Sequence, residues 1–99
     1  MIELLRNRRS IRQYLDRPIE PEKIELLKEA ALRAPSSRNI DPWEFVFVDD
    51  REMLAKLATC KPHGAAFLQG AALGIVVCGD ETQSDVWVED CSIASILVQ

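Results

Sequence analysis

The chain has 99 residues and a formal net charge of −4 at neutral pH, so it can form at most one small domain. A hydrophobic fraction of 47% and a charged fraction of 28% are ordinary for a globular protein. The acidic balance excludes general nucleic-acid binding, which needs a broad basic face, and the longest apolar run, AALGIVVC at 71–78, is too short to span a membrane.

The N-terminal residues predict a short helix over 2–6, followed by a basic segment. RRSIR, residues 8–12, gathers three arginines around Ser10, although Asp and Glu outnumber Lys and Arg by 16 to 12. Each guanidinium can donate two aligned hydrogen bonds, so one interpretation is a cradle for a phosphate. The alternative is a solvated basic turn that pairs with the surplus acidic side chains. We refer to residues 8–12 as the arginine segment.

A clearer helix is predicted from Pro21 up to the residue before Pro35. Proline is well suited to the first helical position. The apolar residues that follow are spaced as on one face of a helix: Ile24, Leu27, Ala31 and Ala34. Pro35 ends the helix, because the residue before a proline is pushed out of helical geometry. The polar stretch PSSRNIDP, residues 35–42, is a predicted loop, which we call the serine loop.

The next residues alternate as in a strand and then change to a helical pattern. WEFVFVDD at 43–50 is rich in aromatic and β-branched residues, which predicts a strand. Asp49 or Asp50 can cap a helix predicted over 51–60. A short helix or turn is expected around residues 67–68.

The C-terminal third predicts a strand and a final helix. Residues 72–78 are apolar on both faces, which favours a strand that is central in its sheet. TQSD at 82–85 has the pattern of a capping box, so a helix should run from there to the end. We expect four apolar residues of this helix to be buried: Val86, Ile93, Ile96 and Leu97. Its small residues, Ser92, Ala94 and Ser95, would permit close approach to another element. The chain stops inside this apolar pattern, which suggests half of a larger unit.

The cysteines and the single histidine indicate no disulfide framework and no metal site. Cys60, Cys78 and Cys91 are odd in number and widely spaced, which favours a reducing, cytoplasmic compartment. Cys60 and His63 form a C-x-x-H pair, but one such pair cannot complete a zinc site. We expect Cys60 to be partly packed and His63 to lie in a loop. With few candidates for acid–base catalysis, an enzyme of this sequence would rely on a cofactor.

Three stretches together resemble a known family. RRSIRQY at 8–14 and APSSRNIDPWEFV at 34–46, with a helix between them, look like the opening half of the FMN-dependent nitroreductase-like flavoproteins. SDVWVEDCSIASILVQ at 84–99 resembles the long central helix of that family and its approach. The resemblance implies an α+β fold with a sheet flanked by helices and an interleaved homodimer with FMN at the interface. It also implies that residues 1–99 are the N-terminal portion of a single domain.

The resemblance also implies which residues contact FMN. From the arginine segment it assigns four residues to the phosphate, the ribityl chain and the pyrimidine edge: Arg8, Arg9, Ser10 and Arg12. From the serine loop, contributed by the other subunit, it assigns four more: Pro35, Ser36, Ser37 and Asn39. No side chain is implied as an acid, base or nucleophile, because hydride passes from NAD(P)H to the flavin.

The implied function is an FMN oxidoreductase that passes reducing equivalents from NAD(P)H to a nitroaromatic, a quinone or a similar acceptor in a ping-pong cycle. One alternative is a flavin-binding or dimerisation module without turnover. Another is a small acidic interaction domain whose arginine segment only binds acids or sulfate. Nucleic acid and membranes are not expected partners.

Four further residues bear on these expectations. Asp41 departs from the family, many of whose members carry Gln before Pro-Trp, so its charge could alter substrate preference or redox potential. Trp43 is expected to pack in the core, whereas Trp87 could either cover the flavin edge or pack under the last helix. For Asp90, the favourable interaction of a carboxylate with the helix dipole in the first turn is enough to explain the residue.

Overall fold

The structure, a computed structural model, describes residues 1–99 as six regular elements with loops between them. The helices are α1 (Ile2–Asn7), α2 (Pro21–Leu32), α3 (Arg51–Leu57) and α4 (Trp87–Val98), and the strands are β1 (Trp43–Val48) and β2 (Gly74–Gly79). Short 3₁₀ turns cover Ser37–Asn39 and Ala66–Gly70. The predicted α+β class is confirmed, as is the turn expected around residues 67–68.

The two strands pair antiparallel, with Trp43 opposite Gly79 and Val48 opposite Gly74. Side chains alternate between the faces of the sheet, so Trp43 and Phe45 point to one face. On that face Trp43 packs with Ala34 and with Ala94 of α4. The other face approaches α3, because a Cβ on Gly74 would lie 2.9 Å from Leu54 Cδ2. The sheet therefore lies between α4 on one side and α3 on the other.

The predicted central position of the second strand is wrong for this chain. The sheet has two strands, and β2 pairs only with β1. Its apolar residues on both faces are explained by the helices on the two sides of the sheet, since α4 contacts one face and Leu54 approaches the other.

The starts of α2 and α3 agree with the sequence prediction, whereas their ends do not. Pro21 occupies the first turn of α2, as expected, but the helix ends at Leu32. Asp50, one of the two predicted caps, accepts a hydrogen bond from the Glu52 N–H at the start of α3. That helix ends at Leu57, three residues earlier than predicted.

The prediction of a capping box at residues 82–85 is wrong, because α4 begins only at Trp87. Asp80 accepts hydrogen bonds from both the backbone N–H and the hydroxyl of Thr82, at 2.9 and 2.6 Å. Asp80 therefore holds Thr82 in a local turn, five residues before the first residue of α4. These two hydrogen bonds hold the pKa of Asp80 below its usual value. Ser84 then accepts a hydrogen bond from the Val86 N–H, which leads the chain into α4.

Helix α4 packs through its small residues. Ala94 is fully buried, and α4 contacts α2, whose Ala31 is also buried. The hydroxyls of Ser92 and Ser95 donate to carbonyls of their own helix, which removes their polarity from the contact. The expected burial of the larger residues is wrong: Val86 is only partly buried, and Ile93, Ile96 and Leu97 are exposed. The reason is geometric, since no element of the chain covers that side of α4.

The cysteines are all free thiols. Cys60 is exposed, so the prediction that it is partly packed is wrong, because the chain has already left α3 at this point. His63 lies in the loop after α3, as expected. No group of three or more His, Cys, Asp or Glu side chains is arranged to hold a metal ion. None of the helices has the length and apolar character that crossing a membrane requires.

Candidate functional site

The arginine segment follows α1 directly and has no regular secondary structure. Arg8, Arg9, Ser10 and Arg12 are all exposed. The Arg9 guanidinium folds back on the end of α1, where Nη1 donates to the carbonyls of Arg6 and Arg8 at 3.0 and 2.7 Å. These carbonyls have no partner within the helix, so Arg9 satisfies the C-terminal end of α1.

The arginines of this segment form no ion pair, although the chain is rich in acids. Other cations are paired within 4 Å of a carboxylate: Arg6, Lys23, Lys28, Arg33, Arg38 and Arg51. The interpretation of the segment as a basic turn paired with surplus acids is therefore not what the structure shows. With Arg9 engaged by the backbone, the guanidinium forks of Arg8 and Arg12 remain open to an external anion.

The serine loop has an unusual backbone for a stretch without glycine. Arg38, Asn39 and Asp41 have φ values of 57°, 55° and 54°, in the left-handed region that most side chains disfavour. Asn and Asp tolerate this region better than other residues, because their short polar side chains can bond locally. Arg38 has no such advantage, so contacts from outside must hold the loop in this form.

A pair of hydrogen bonds within the loop closes its base. The Ser36 hydroxyl donates to the Asp41 carboxylate and accepts from the Asp41 N–H, the latter at 2.9 Å. A hydroxyl has one proton, and here Asp41 receives it. Ser36 can therefore accept a hydrogen bond from a ligand but has no proton left to donate. The Asp41 carboxylate is therefore hydrogen-bonded within the loop.

Two further contacts join the loop to the start of α4. The Asp90 carboxylate accepts the backbone N–H of Ser37 at 3.2 and 3.3 Å, and it is 4% exposed. The Arg38 guanidinium pairs with Asp85 at 2.8 Å, in an exposed position. The sequence interpretation assigned Asp90 only to the helix dipole, so its contact with the loop was missed. The sequence signal that could have revealed this contact is the joint occurrence of the serine loop and the WVED stretch in the family resemblance.

The tryptophans both have packing roles. Trp43 is buried between Ala34 and Ala94, as predicted, and its ring lies 5.1 Å from that of Phe45. Its buried Nε1 has no hydrogen-bond partner within the chain. Trp87 lies over the end of β2, where a Cβ on Gly79 would come within 2.4 Å of its ring. Of the two alternatives for Trp87, the structure thus shows packing at the start of the last helix.

The structure does not join the two motifs within one chain. No hydrogen bond or ion pair connects the arginine segment to the serine loop. Arg8 borders a groove of about 1320 Å³ whose walls come largely from apolar residues of α1, α2 and the end of α4. Pro35, Ser36, Ser37 and Asn39 do not line that groove. Of the two open arginines, Arg8 borders this groove and Arg12 does not.

Comparison with known proteins identifies the family of this chain. The sequence model of the nitroreductase family matches residues 5–73, which include the arginine segment, the serine loop and β1 and end just before β2. The chain belongs to the nitroreductase family. The family assignment that the sequence motifs suggested is thereby confirmed.

Relatives of this nitroreductase-family chain include proteins of known structure. A candidate NADH dehydrogenase/NAD(P)H nitroreductase of Archaeoglobus fulgidus is 45% identical over 98 residues, which cover 95% of this chain and 56% of the relative. The structure of an FMN-dependent nitroreductase from Clostridium difficile R20291 superposes with a TM-score of 0.97 at 47% identity, covering 100% of this chain and 58% of that one.

A further similar structure contains the cofactor. A candidate nitroreductase from Desulfovibrio desulfuricans, in complex with FMN, superposes with a TM-score of 0.82 at 28% identity, covering 98% of this chain and 58% of that one. The chain thus has the nitroreductase fold over nearly its whole length. It spans little more than half the length of these relatives.

Proposed function

We propose that this chain is the N-terminal portion of an FMN-dependent NAD(P)H oxidoreductase. The observation that carries the proposal is the pair of unengaged guanidinium groups at Arg8 and Arg12, in an acidic chain where four other arginines are paired with carboxylates. Similar proteins are named NAD(P)H nitroreductase and FMN-dependent nitroreductase, which supports the proposal. We further propose nitroaromatics, quinones or similar molecules as acceptors, in a ping-pong cycle.

The role of the chain would be to bind and orient the cofactor. Arg8 and Arg12 would donate to the phosphate of FMN, because guanidinium forks match phosphate oxygens geometrically. Arg9 and Ser10 would complete this end of the site, with Arg9 restrained by its bonds to α1. When bound, FMN supplies the two-electron chemistry between NAD(P)H and the acceptor. No side chain of this chain needs to act as an acid or a base.

The serine loop would contact the flavin from a second copy of the chain. Pro35, Ser37 and Asn39 are exposed, so their groups are available at a surface. Ser36 would act only as an acceptor, since its proton is donated to Asp41. The exposed apolar residues of α1 and of the end of α4, such as Leu4 and Leu97, support a homodimer, because such surfaces are usually covered. The free thiols suit the cytoplasm, which we propose as the compartment.

A second candidate is a flavin-binding or dimerisation module without turnover. It is favoured by one observation, namely that the open Arg8 and Arg12 and the exposed apolar residues of α1 and α4 serve binding and association without any catalytic side chain. The two candidates share cofactor binding and differ in reduction by NAD(P)H.

The test is a titration of the purified, flavin-free protein with FMN, followed by quenching of flavin fluorescence. The proposal expects saturable binding, a yellow complex, and bleaching of the flavin absorbance when NADH or NADPH is added without oxygen. Binding without bleaching would support the module without turnover. No binding of FMN would contradict both candidates and favour the acidic interaction domain.

A further inference from the structure

The Asp90 carboxylate is the one buried link between the serine loop and α4. It is 4% exposed, and its hydrogen bonds come from the Ser37 N–H, which lies 53 positions earlier in the chain. A carboxylate is rarely buried unless it is hydrogen-bonded, because losing its hydration is costly. The hydrogen bonds from the Ser37 N–H therefore compensate for the burial of Asp90.

A helix-dipole role alone does not explain this residue. Glu89 also lies in the first turn of α4, is exposed, and supplies the negative charge that the dipole favours. A charge that served only the dipole would gain nothing by leaving water. The contact with Ser37 gives a reason for the burial that the dipole does not.

The loop that Asp90 contacts needs an external restraint. Arg38 and Asn39 follow Ser37 directly and have left-handed backbone angles, which are unfavourable for a residue such as Arg38. The exposed Arg38–Asp85 pair contributes little restraint, because solvent screens it. The Ser36–Asp41 bonds act within the loop and do not fix its place relative to α4.

We propose that Asp90 is a positioning residue for the cofactor site: through the Ser37 N–H it holds the serine loop in the conformation that contacts FMN. This inference rests on the proposed function for its effect on FMN, but its effect on the loop can be measured without any flavin. A loop that is already ordered loses less conformational freedom on binding, so its restraint increases affinity.

The experiment compares Asp90→Ala, Asp90→Asn and Asp90→Glu with an exposed control, Asp85→Asn, which removes the same charge close to the same loop. Amide hydrogen exchange at Ser37, resolved by NMR in the flavin-free protein, reports on the loop. The dissociation constant for FMN reports on the site. Thermal melting identifies any variant that fails to fold.

The two explanations of Asp90 predict different effects of the variants on Ser37 exchange and FMN affinity. Asp90→Ala should speed Ser37 exchange and weaken FMN binding, each by roughly tenfold, as expected for the loss of a hydrogen bond to a charged group. Asp90→Asn should stay within about threefold of the unchanged protein, because its amide oxygen still accepts the Ser37 N–H. Asp85→Asn should change neither quantity. If only the negative charge mattered, Asp90→Glu would be tolerated and Asp90→Asn would be as weak as Asp90→Ala, which would overturn the inference.

The two readouts separate this inference from the proposed function. If the unchanged protein binds no FMN, the proposed function is wrong, and Ser37 exchange alone decides whether Asp90 holds the loop. If the unchanged protein binds FMN and Asp90→Ala binds it equally well, the positioning role is wrong while the proposed function stands. If Asp90→Glu does not fold, the comparison of Asp90→Asn with Asp90→Ala still decides.

Discussion

Gly79 ends β2 directly beneath the ring of Trp87, the first residue of α4. A Cβ built on Gly79 would lie 2.4 Å from Trp87 Cε3 and 2.8 Å from Cys91 Sγ, both closer than atoms in contact can approach. Gly79 also lies opposite Trp43 in the sheet. The absence of a side chain at this position therefore lets the start of α4 lie against the end of the sheet, where the serine loop is anchored.

Substitution of Gly79 by Ala should destabilise the fold. The added methyl group must displace a rigid aromatic ring, and overpacking of this kind costs about 1–3 kcal/mol. The matched control is Gly70→Ala, where a Cβ would meet nothing within 4 Å, and its effect should be within about 0.5 kcal/mol. Urea unfolding of both variants measures the difference. Equal midpoints for the two would show that Trp87 does not hold this position.

The parts of the fold that the sequence predicted correctly depend on local patterns. Pro21 set the start of α2, and the alternation that begins at Trp43 identified β1. The errors arose where distant contacts decide. Ile96 and Leu97 were expected to be buried because of their apolar pattern, but a pattern cannot show which element covers it. The capping box failed because Asp80 holds Thr82 in a turn that precedes the helix.

The Cys91 thiol should react slowly with alkylating reagents. Burial raises the pKa of this thiol, and the negative charge of the adjacent Asp90 and the nearby Cys78 raise it further. Since the thiolate is the reactive form, iodoacetamide at pH 8 should modify exposed Cys60 well before Cys91. Mass spectrometry of the digested protein after timed quenching gives both rates. Similar rates at the two cysteines would contradict the prediction.

The raised pKa of Cys91 also predicts the direction in which the free energy of unfolding changes at alkaline pH. The folded protein keeps the thiol proton to higher pH than the unfolded chain does. The contribution of the protonated thiol to the free energy of unfolding is therefore complete below the ordinary thiol pKa of 9.0, and it is lost as pH rises through the raised folded value. The urea midpoint should fall between pH 8 and pH 10, and it should fall less in Cys91→Ala. An equal fall in both proteins would assign the effect to other groups.

Substitution of Arg12 by Ala should weaken FMN binding by roughly ten- to a hundredfold. This follows if Arg12 donates a charge-assisted hydrogen bond of about 1.5–3 kcal/mol to the phosphate. Riboflavin lacks the phosphate, so its affinity should change much less. Arg12→Lys should recover only part of the loss, because an ammonium keeps the charge without the planar fork. Titration of the flavin-free protein with both flavins, followed by fluorescence quenching, gives the affinities.

A suitable control for Arg12 is Arg33→Ala, which removes an exposed arginine already paired with Glu29 on α2. It should leave both affinities unchanged. If Arg12→Ala weakens FMN and riboflavin equally, Arg12 contacts the ring or the ribityl chain instead of the phosphate. If neither Arg8→Ala nor Arg12→Ala affects either flavin, the arginine segment is a solvated turn.

The candidate site was only partly predictable from the sequence. Arg8 and Arg12 form no ion pair within the chain, and the phosphate cradle that the residue types suggested stays a prediction. The structure adds what the motif could not show, namely that the Ser36 hydroxyl donates a hydrogen bond to Asp41 and that Asp90 accepts the Ser37 N–H. These are contacts between residues that no periodic pattern connects.

The final prediction tests whether the flavin site is shared between two chains. In a symmetric dimer with shared sites, each site takes the arginine segment from one subunit and the serine loop from the other. A mixed dimer of Arg12→Ala and Ser37→Ala would then contain one intact site and one doubly defective site. After random exchange of subunits, about a quarter of all sites should regain the original FMN affinity. Mixing Arg12→Ala with Arg8→Ala is the matched control, because both changes lie in the same segment and no intact site can form. Recovery in the first mixture alone would support shared sites, whereas recovery in neither would place each complete site within a single chain.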